Sequence, residues 1–354
     1  MVTYPQLDMI MNKSASKWFS SDYGQARQRF RKAVTAKQGR LAALDLDTKG
    51  PNGEALTIDI GWFGASKPKR VLLHSSGLHG IEGFAGSAIQ LESINREDFS
   101  LGGEDAVIFI HILNPYGMSW LRRVNENNVD LNRNFLPAGR PYRGASDGYR
   151  TMNEVLNPAT PPSFDFFLLR ALSKILRHGY TTLKQAITEG QYAFDKGLFF
   201  GGRTLEQGPA RYMQWLENNL GHAREVFAVD VHTGLGKPGV DTLLVDLASD
   251  DPEFNALRTV FGDHIASWDA GTSVAYQIHG GHPGTISRIL PGTKVRFLTQ
   301  EFGTIKPLKV LHALREENRW HHYGDATIEH HSKLGILNAF RPSSPSSANW
   351  DERH

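Results

Sequence analysis

The sequence predicts an α/β protein, one sheet enclosed between two layers of helices. Three observations predict it. Short apolar runs alternate with helical patterns along the chain. Two of these runs, 106–113 (Ala-Val-Ile-Phe-Ile-His-Ile-Leu) and 226–231 (Val-Phe-Ala-Val-Asp-Val), are almost continuously apolar, as strands covered on both faces are. No repeat and no linker divides the 354 residues, a length that large single-sheet enzymes reach. The expected organisation is one domain over 1–340, with a helical N-terminal extension over 1–40. The Pro- and Ser-rich stretch 341–354 reads as a disordered tail.

In chain order, residues 14–37 read as a helix that mixes aromatic and basic positions and ends near Gly39. Segments 41–46 and 56–63 read as strands; in the second, Ile58, Ile60 and Trp62 alternate with Thr57, Asp59 and Gly61. A turn at 66–69 leads to a buried strand at 71–73, a Gly-rich turn, and a helix opened by Glu82 and continued over 84–94. The run 106–113 stops at Asn114-Pro115. A polar segment then extends to about 145, and a loop rich in Pro and Thr to 162. Helices are expected over 164–178, 181–189 and 204–220, with Thr204 as N-cap, and a short strand over 198–200. Strands follow at 226–231 and 243–247, then a helix over 252–268 capped by Asp250 or Asp251 with Pro252 in its first turn. Residues 269–293 read as loop, 295–298 as strand, and 307–336 as largely helical.

Composition narrows the chemistry. Lys plus Arg number 39 against Asp plus Glu 37, a formal charge of +2, and no general nucleic-acid or membrane surface is expected. No apolar run reaches 18 residues and the N-terminus shows no signal pattern, so a soluble cytoplasmic protein is expected. There is no cysteine, so a metal site here is built from His, Asp and Glu. Four apolar strands end in residues of catalytic type. The first leads to His79 and Glu82, the second to Asn114 and the Arg-rich segment after it. The third carries Asp230 and ends at His232, and the fourth ends at Glu301. The carboxyl ends of strands are where open α/β sheets bind ligands. An imidazole and a carboxylate three residues apart on a Gly-rich turn suit two of the three protein ligands of a catalytic zinc.

Five short motifs, in order, resemble the zinc metallocarboxypeptidase family of carboxypeptidase-A-like fold. They are H-x-x-E at His79 and Glu82, N-P-x-G at 114–117, V-D-L-N-R-N-F at 129–135, D-x-H-T-G at 230–234 and E-F-G-T at 301–304. The branch most resembled is a bacterial one near the murein-peptide amidases; aspartoacylase and succinylglutamate desuccinylase are more distant. The resemblance implies a mixed sheet of about eight strands, phosphorylase/hydrolase-like, and one zinc per chain on His79, Glu82 and His232. It implies Glu301 as general base, Arg123 as oxyanion donor with Arg122 as its competitor, and Asn132 and Arg133 as the grip on a substrate carboxylate. The implied reaction cleaves an amide beside a free carboxylate, in a small peptide or an acyl-amino acid. The alternatives are a deacylase of the aspartoacylase kind and a non-catalytic binding relative. Tyr276-Gln277 with Gly280-Gly281 resembles the family's Y-Q-x-x-G-G loop and makes Tyr276 a candidate substrate contact. Ten residues on, where the digestive enzymes carry a mobile tyrosine, stands Ile286; His279, His282 and Arg288 lie near enough in sequence to cover its role.

Other features have plainer readings. His74 and His111 read as wall or core residues, His279 with His282 as a loop pair without a nearby carboxylate. His321, His322, His330 and His331 read as solvent-facing helix positions. Asp230 shares a face with His232, and a place near the site is expected for it, without a direct bond to that histidine.

Overall fold

In the computed structural model, residues 16–96, 98–268 and 278–341 are described. Strands β1 (Arg40–Lys49) and β2 (Ala55–Gly64) form an antiparallel pair, and β2 is antiparallel to β4 (Asp105–His111). β4, β3 (Arg70–Ser76), β5 (Glu225–Thr233) and β8 (Lys294–Phe302) run parallel. β6 (Asp241–Val245) is antiparallel to β8, and β7 (Ile265–Ser267) pairs with β6 in parallel. The result is one mixed eight-stranded sheet in the order β1-β2-β4-β3-β5-β8-β6-β7.

Helices α1 (Tyr23–Ala36), α2 (Gly83–Arg96), α3 (Pro115–Ser119), α4 (Asp147–Leu156), α5 (Phe167–His178) and α6 (Tyr180–Thr188) precede β5. α7 (Gln207–Leu220) leads into it, and α8 (Pro252–Phe261), α9 (Pro283–Ile289), α10 (Pro307–Tyr323) and α11 (His331–Phe340) follow. The two-residue period of a strand explains the layering. Ile108 and Ile110 of β4 pack with Tyr212, Leu216 and Leu220 of α7 on one face. Phe109, between them, packs with Phe30, Val34, Leu91 and Ile94 of α1 and α2 on the other. Each such fully buried side chain contributes roughly 1.5–3 kcal/mol. A further cluster joins Tyr149, Leu314, Ile336 and Phe340 to Ile81 and Ile112, which follow the carboxyl ends of β3 and β4. Among the described residues no helix is long and apolar enough to cross a membrane.

Several expected elements differ. α4 lies inside the segment expected as a Pro- and Thr-rich loop: Ser146 caps it through Tyr149 N–H, and Tyr149, Met152, Val155 and Leu156 bury one stripe. Overall composition there hid a ten-residue helix. α9 likewise interrupts the expected loop 269–293. The expected helix 252–268 stops at Gly262, whose φ of +64° ends it before β7. The helix expected over 307–336 is two, separated after Tyr323. Strand 198–200 is reduced to one bridge between Gln191 and Phe200. α7 begins after Glu206 rather than at Thr204. The predicted tail after Arg341 lies outside the described residues.

Candidate metal centre

The strand order reverses at β3, with β4 on one side and β5 on the other, which opens a crevice at their carboxyl ends. His79 follows β3 and leads into a single 3₁₀ turn, Gly80–Glu82. That turn is anchored by the arginine loop: Gly80 N–H donates to Arg123 O (3.0 Å) and Ile81 N–H to Arg122 O (2.9 Å). A Cβ on Gly80 would stand 2.2 Å from the carbonyl carbon of Gly117, so only glycine permits this approach. His232 lies at the end of β5, and Glu301 is its register partner on β8.

These elements bring three ligand-capable side chains together. Nδ1 of His79 and Nδ1 of His232 are 3.2 Å apart. Glu82 places Oε1 2.9 Å from the first and Oε2 3.1 Å from the second. All three residues are buried. His232 Nε2 donates to Asp230 Oδ2 (3.0 Å). A carboxylate only accepts, and Nδ1 faces Glu82 Oε2, so a ring protonated on both nitrogens satisfies both carboxylates; a cation at Nδ1 would take the place of one of those hydrogens and leave Nε2 bonded to Asp230. His79 Nε2 lies 3.1 Å from Asp130 Oδ1 and 2.7 Å from Arg123 Nη2, an acceptor and a donor competing for one nitrogen. His79 Nδ1, 2.9 Å from Glu82 Oε1, is the nitrogen that faces the shared site.

Electrostatics points the same way. Burial alone would push the His232 pKa down, but Asp230 and Glu82 hold it well above the usual histidine value. Burial pushes the Glu82 carboxyl up; His79 and His232 outweigh it and hold it low. Negative charge that favours a proton on His232 favours a divalent cation in its place. Two imidazole nitrogens and a carboxylate within 4.8 Å of one another, with no thiolate, form a donor set that fits zinc.

The bond between Asp230 and His232 corrects the expectation that they do not touch. Both side chains leave the same face of β5, and with Nδ1 turned to Glu82 the ring's Nε2 points back along the strand. Asp230 also accepts from Ser75 Oγ (2.7 Å) and His282 Nδ1 (3.0 Å). His282 is fully buried, and its backbone N–H donates to Asn132 Oδ1 (3.0 Å). Nothing near it in sequence signals this position. Asp130, which the V-D-L-N-R motif contains, accepts from Arg123 Nε (3.0 Å) as well as facing His79.

The two arginines separate. Arg123 borders the same cavity as the three ligand-capable residues, with Nη1 3.2 Å from Glu82 Oε1. Arg122 turns away: its Nε donates to Glu317 Oε1 (2.9 Å) and its Nη2 to Asn128 Oδ1 (3.0 Å), in a buried polar cluster. It is not placed to touch a substrate. Asn132 lines the cavity, and with Oδ1 held by His282 its Nδ2 is the donor end. Arg133 is fully buried and donates to the carbonyls of Thr188 and Asn132, so its guanidinium serves the protein's own backbone. Tyr276 lies outside the described residues. Ile286 packs against the α7 cluster, Arg288 donates to Phe135 O and His279 is exposed, and none of the three borders the cavity. His321 and His322 are half-buried, not solvent-facing, and burial lowers both. His111 is a core residue beside Ser87 Oγ (2.9 Å), as expected.

Glu301 accepts Leu235 N–H (2.9 Å). Burial, with help from the Glu82 charge, pushes its carboxyl up to about 7. His79, Glu82, His232, Glu301, Arg123 and Asn132 border one cavity of about 390 Å³.

Residues 19–353 match the model of a family described as "Protein of unknown function (DUF2817)". A comparison with curated proteins finds no match. Among solved structures, carboxypeptidase A from Helicoverpa armigera is similar at 14% identity and TM-score 0.45, covering 96% of this chain and 80% of that one. Murein-tripeptide amidase MpaA from Escherichia coli O157 is similar at 18% identity and TM-score 0.38, covering 79% and 92%. An aspartoacylase family protein from Mesorhizobium loti is similar at 14% identity and TM-score 0.36, covering 81% and 67%.

Proposed function

We propose, for a chain that belongs to the DUF2817 family, that it is a zinc-dependent hydrolase of amides. The substrate is a peptide or acyl-amino acid, and one zinc per chain is held by His79, Glu82 and His232. The observation that carries this reading is the convergence of two imidazole Nδ1 atoms and a carboxylate in the wall of the cavity that Glu301 also borders. When bound, zinc supplies Lewis acidity, activating a water and polarising a carbonyl.

The chain's own groups do the rest. Glu301, with its carboxyl near neutrality, is suited to take a proton from the attacking water and return it to the departing nitrogen. The water oxygen joins the carbonyl carbon, the carbon–nitrogen bond breaks, and an acid and an amine leave. Arg123 is anchored through Nε on Asp130, with Nη1 on Glu82 and Nη2 facing His79, and it borders the cavity, so its positive charge lies beside the oxygen that gains charge. Asn132 offers Nδ2 to a substrate carboxylate. Arg133 positions Asn132 by tying the 3₁₀ turn Leu131–Arg133 to Thr188 O.

The test is metal content together with turnover. Purified protein should hold about one zinc per chain and hydrolyse members of an amide library, and His232→Ala should lose both. Full metal content in that variant rejects the ligand set; zinc-loaded protein inert on every amide rejects the hydrolase.

A further inference from the structure

We infer that the scissile amide carries a long hydrocarbon chain on one side, as an N-acyl or N-alkyl amide does, instead of extending into polypeptide. The inference rests on the hydrolase reading and adds the substrate class.

The argument starts from the far end of the cavity. Away from the metal-binding residues its wall is built by helices, with Met152 of α4, Ile175 of α5, Leu183 and Ile187 of α6, and Leu311 and Leu314 of α10 facing in. The rim is apolar too: Tyr180 is 55% exposed and Leu308 40% exposed, and both border the cavity. Polar groups on this helical side are few. Two lysines border it, Lys184 of α6, half-buried, and Lys306, exposed, and Thr188 Oγ1 already donates to Lys184 O (2.7 Å).

An extended peptide entering here would bring an N–H and a C=O with every residue. Beyond the first turns of α6 and α10 at the rim, the backbone groups of these helices are bonded within the helices, and the side chains facing in are mostly hydrocarbon. Peptide groups running along that wall would shed water and find few partners. A hydrocarbon chain has no such groups, and every methylene that enters gains from leaving water. The volume, about 390 Å³, is also more than a small acid such as acetate needs. The amide end of such a substrate lies at Arg123 and Glu301 while its chain runs along α5, α6 and α10 toward Tyr180 and Leu308.

The experiment uses the full zinc-loaded chain and N-acetyl-, N-octanoyl- and N-dodecanoylglycine below their micelle thresholds, with tripeptides of apolar residues as competitors. Expected is a kcat/KM that rises about fourfold per methylene until the cavity is full, the rate equivalent of moving a methylene out of water. Ile175→Trp and Leu311→Trp narrow the wall at half-buried positions, and each should lower the dodecanoyl-to-acetyl ratio at least tenfold. Circular dichroism checks that both variants fold. Calorimetric binding of N-dodecanoylglycine to Glu301→Gln supplies a readout independent of turnover. Equal rates across the series, or a preference for the tripeptides, overturns the inference and leaves the hydrolase standing. Absent hydrolysis with tight dodecanoyl binding, weakened by Ile175→Trp, rejects the hydrolase and keeps the apolar class. Neither hydrolysis nor binding overturns both.

Discussion

Asp230 and His232, two residues apart on β5, are bonded to each other through Oδ2 and Nε2 at 3.0 Å. The carboxylate orients the ring, with Nε2 toward itself and Nδ1 toward Glu82. Partners of this kind hold metal-ligating imidazoles in register, and losing one typically costs 10–100-fold in metal affinity. Asp230→Asn should therefore bind zinc about 10–100-fold more weakly in a chelator competition while keeping its fold. Unchanged affinity would show that Ser75 and His282, which also hold Asp230, are its real purpose.

Removing the carboxylate of Glu301 would separate the proposed metal holding from the proposed proton transfer. Glu301→Gln keeps the size of the side chain and leaves His79, Glu82 and His232 in place. Zinc content should stay near one per chain while kcat falls by about 10²–10⁴-fold. A variant that retained full turnover would remove Glu301 from the chemistry.

Gly80 couples the metal turn to the arginine loop by close approach. Gly80→Ala sets a Cβ 2.2 Å from the Gly117 carbonyl carbon, and that clash cannot be relieved by a rotamer change. Overpacking of this kind costs roughly 1–3 kcal/mol. The expected result is a lower thermal midpoint together with weaker zinc binding, because His79 and Glu82 flank the strained residue. A stable variant with normal metal content would mean that the α3 turn gives way freely.

The buried cluster around Arg122 predicts an acid-dependent term in stability. Burial pushes the Glu317 carboxyl up, but Arg122 and Lys333 outweigh it and lower it from 4.5 to about 2. The folded value lies below the unfolded one, so the contribution is complete above about 4.5 and fades as pH falls toward 2. Glu317→Gln leaves two buried cations without their shared carboxylate, a loss of about 3–5 kcal/mol near neutral pH. Thermal unfolding of both proteins across that acid window should show the variant's deficit shrinking. A deficit independent of pH would contradict the assignment.

What the sequence disclosed, and what it hid, follows from how far each signal reaches. The central parallel strands are covered on both faces, so they leave continuous apolar runs such as 106–113 that local reading detects. His79 with Glu82, and Asp130 with Asn132, lie within a few residues of each other and form recognisable patterns. The bond from His282 to Asp230 spans 52 residues and has no local signature. Arg122 and Arg123 are neighbours whose directions are set by partners elsewhere: Glu317, 195 residues away, draws the first out of the site. α4 was hidden because the prolines around it dominate the composition of that stretch, although its own buried stripe has helical spacing.

The strand reversal at β3 has a mechanical corollary. His79 and His232 are 153 residues apart in the chain, yet their Nδ1 atoms meet across one crevice. A zinc ion held there, as proposed, would close a loop of that length in a protein that has no cysteine. In the chain-entropy picture such a cross-link is worth about 5 kcal/mol against the unfolded state, comparable to a long-range disulfide. The ion that equips the crevice for chemistry would then also act as a clasp between the two halves of the sheet, and stripping it would loosen the molecule as reduction loosens a disulfide-bonded one.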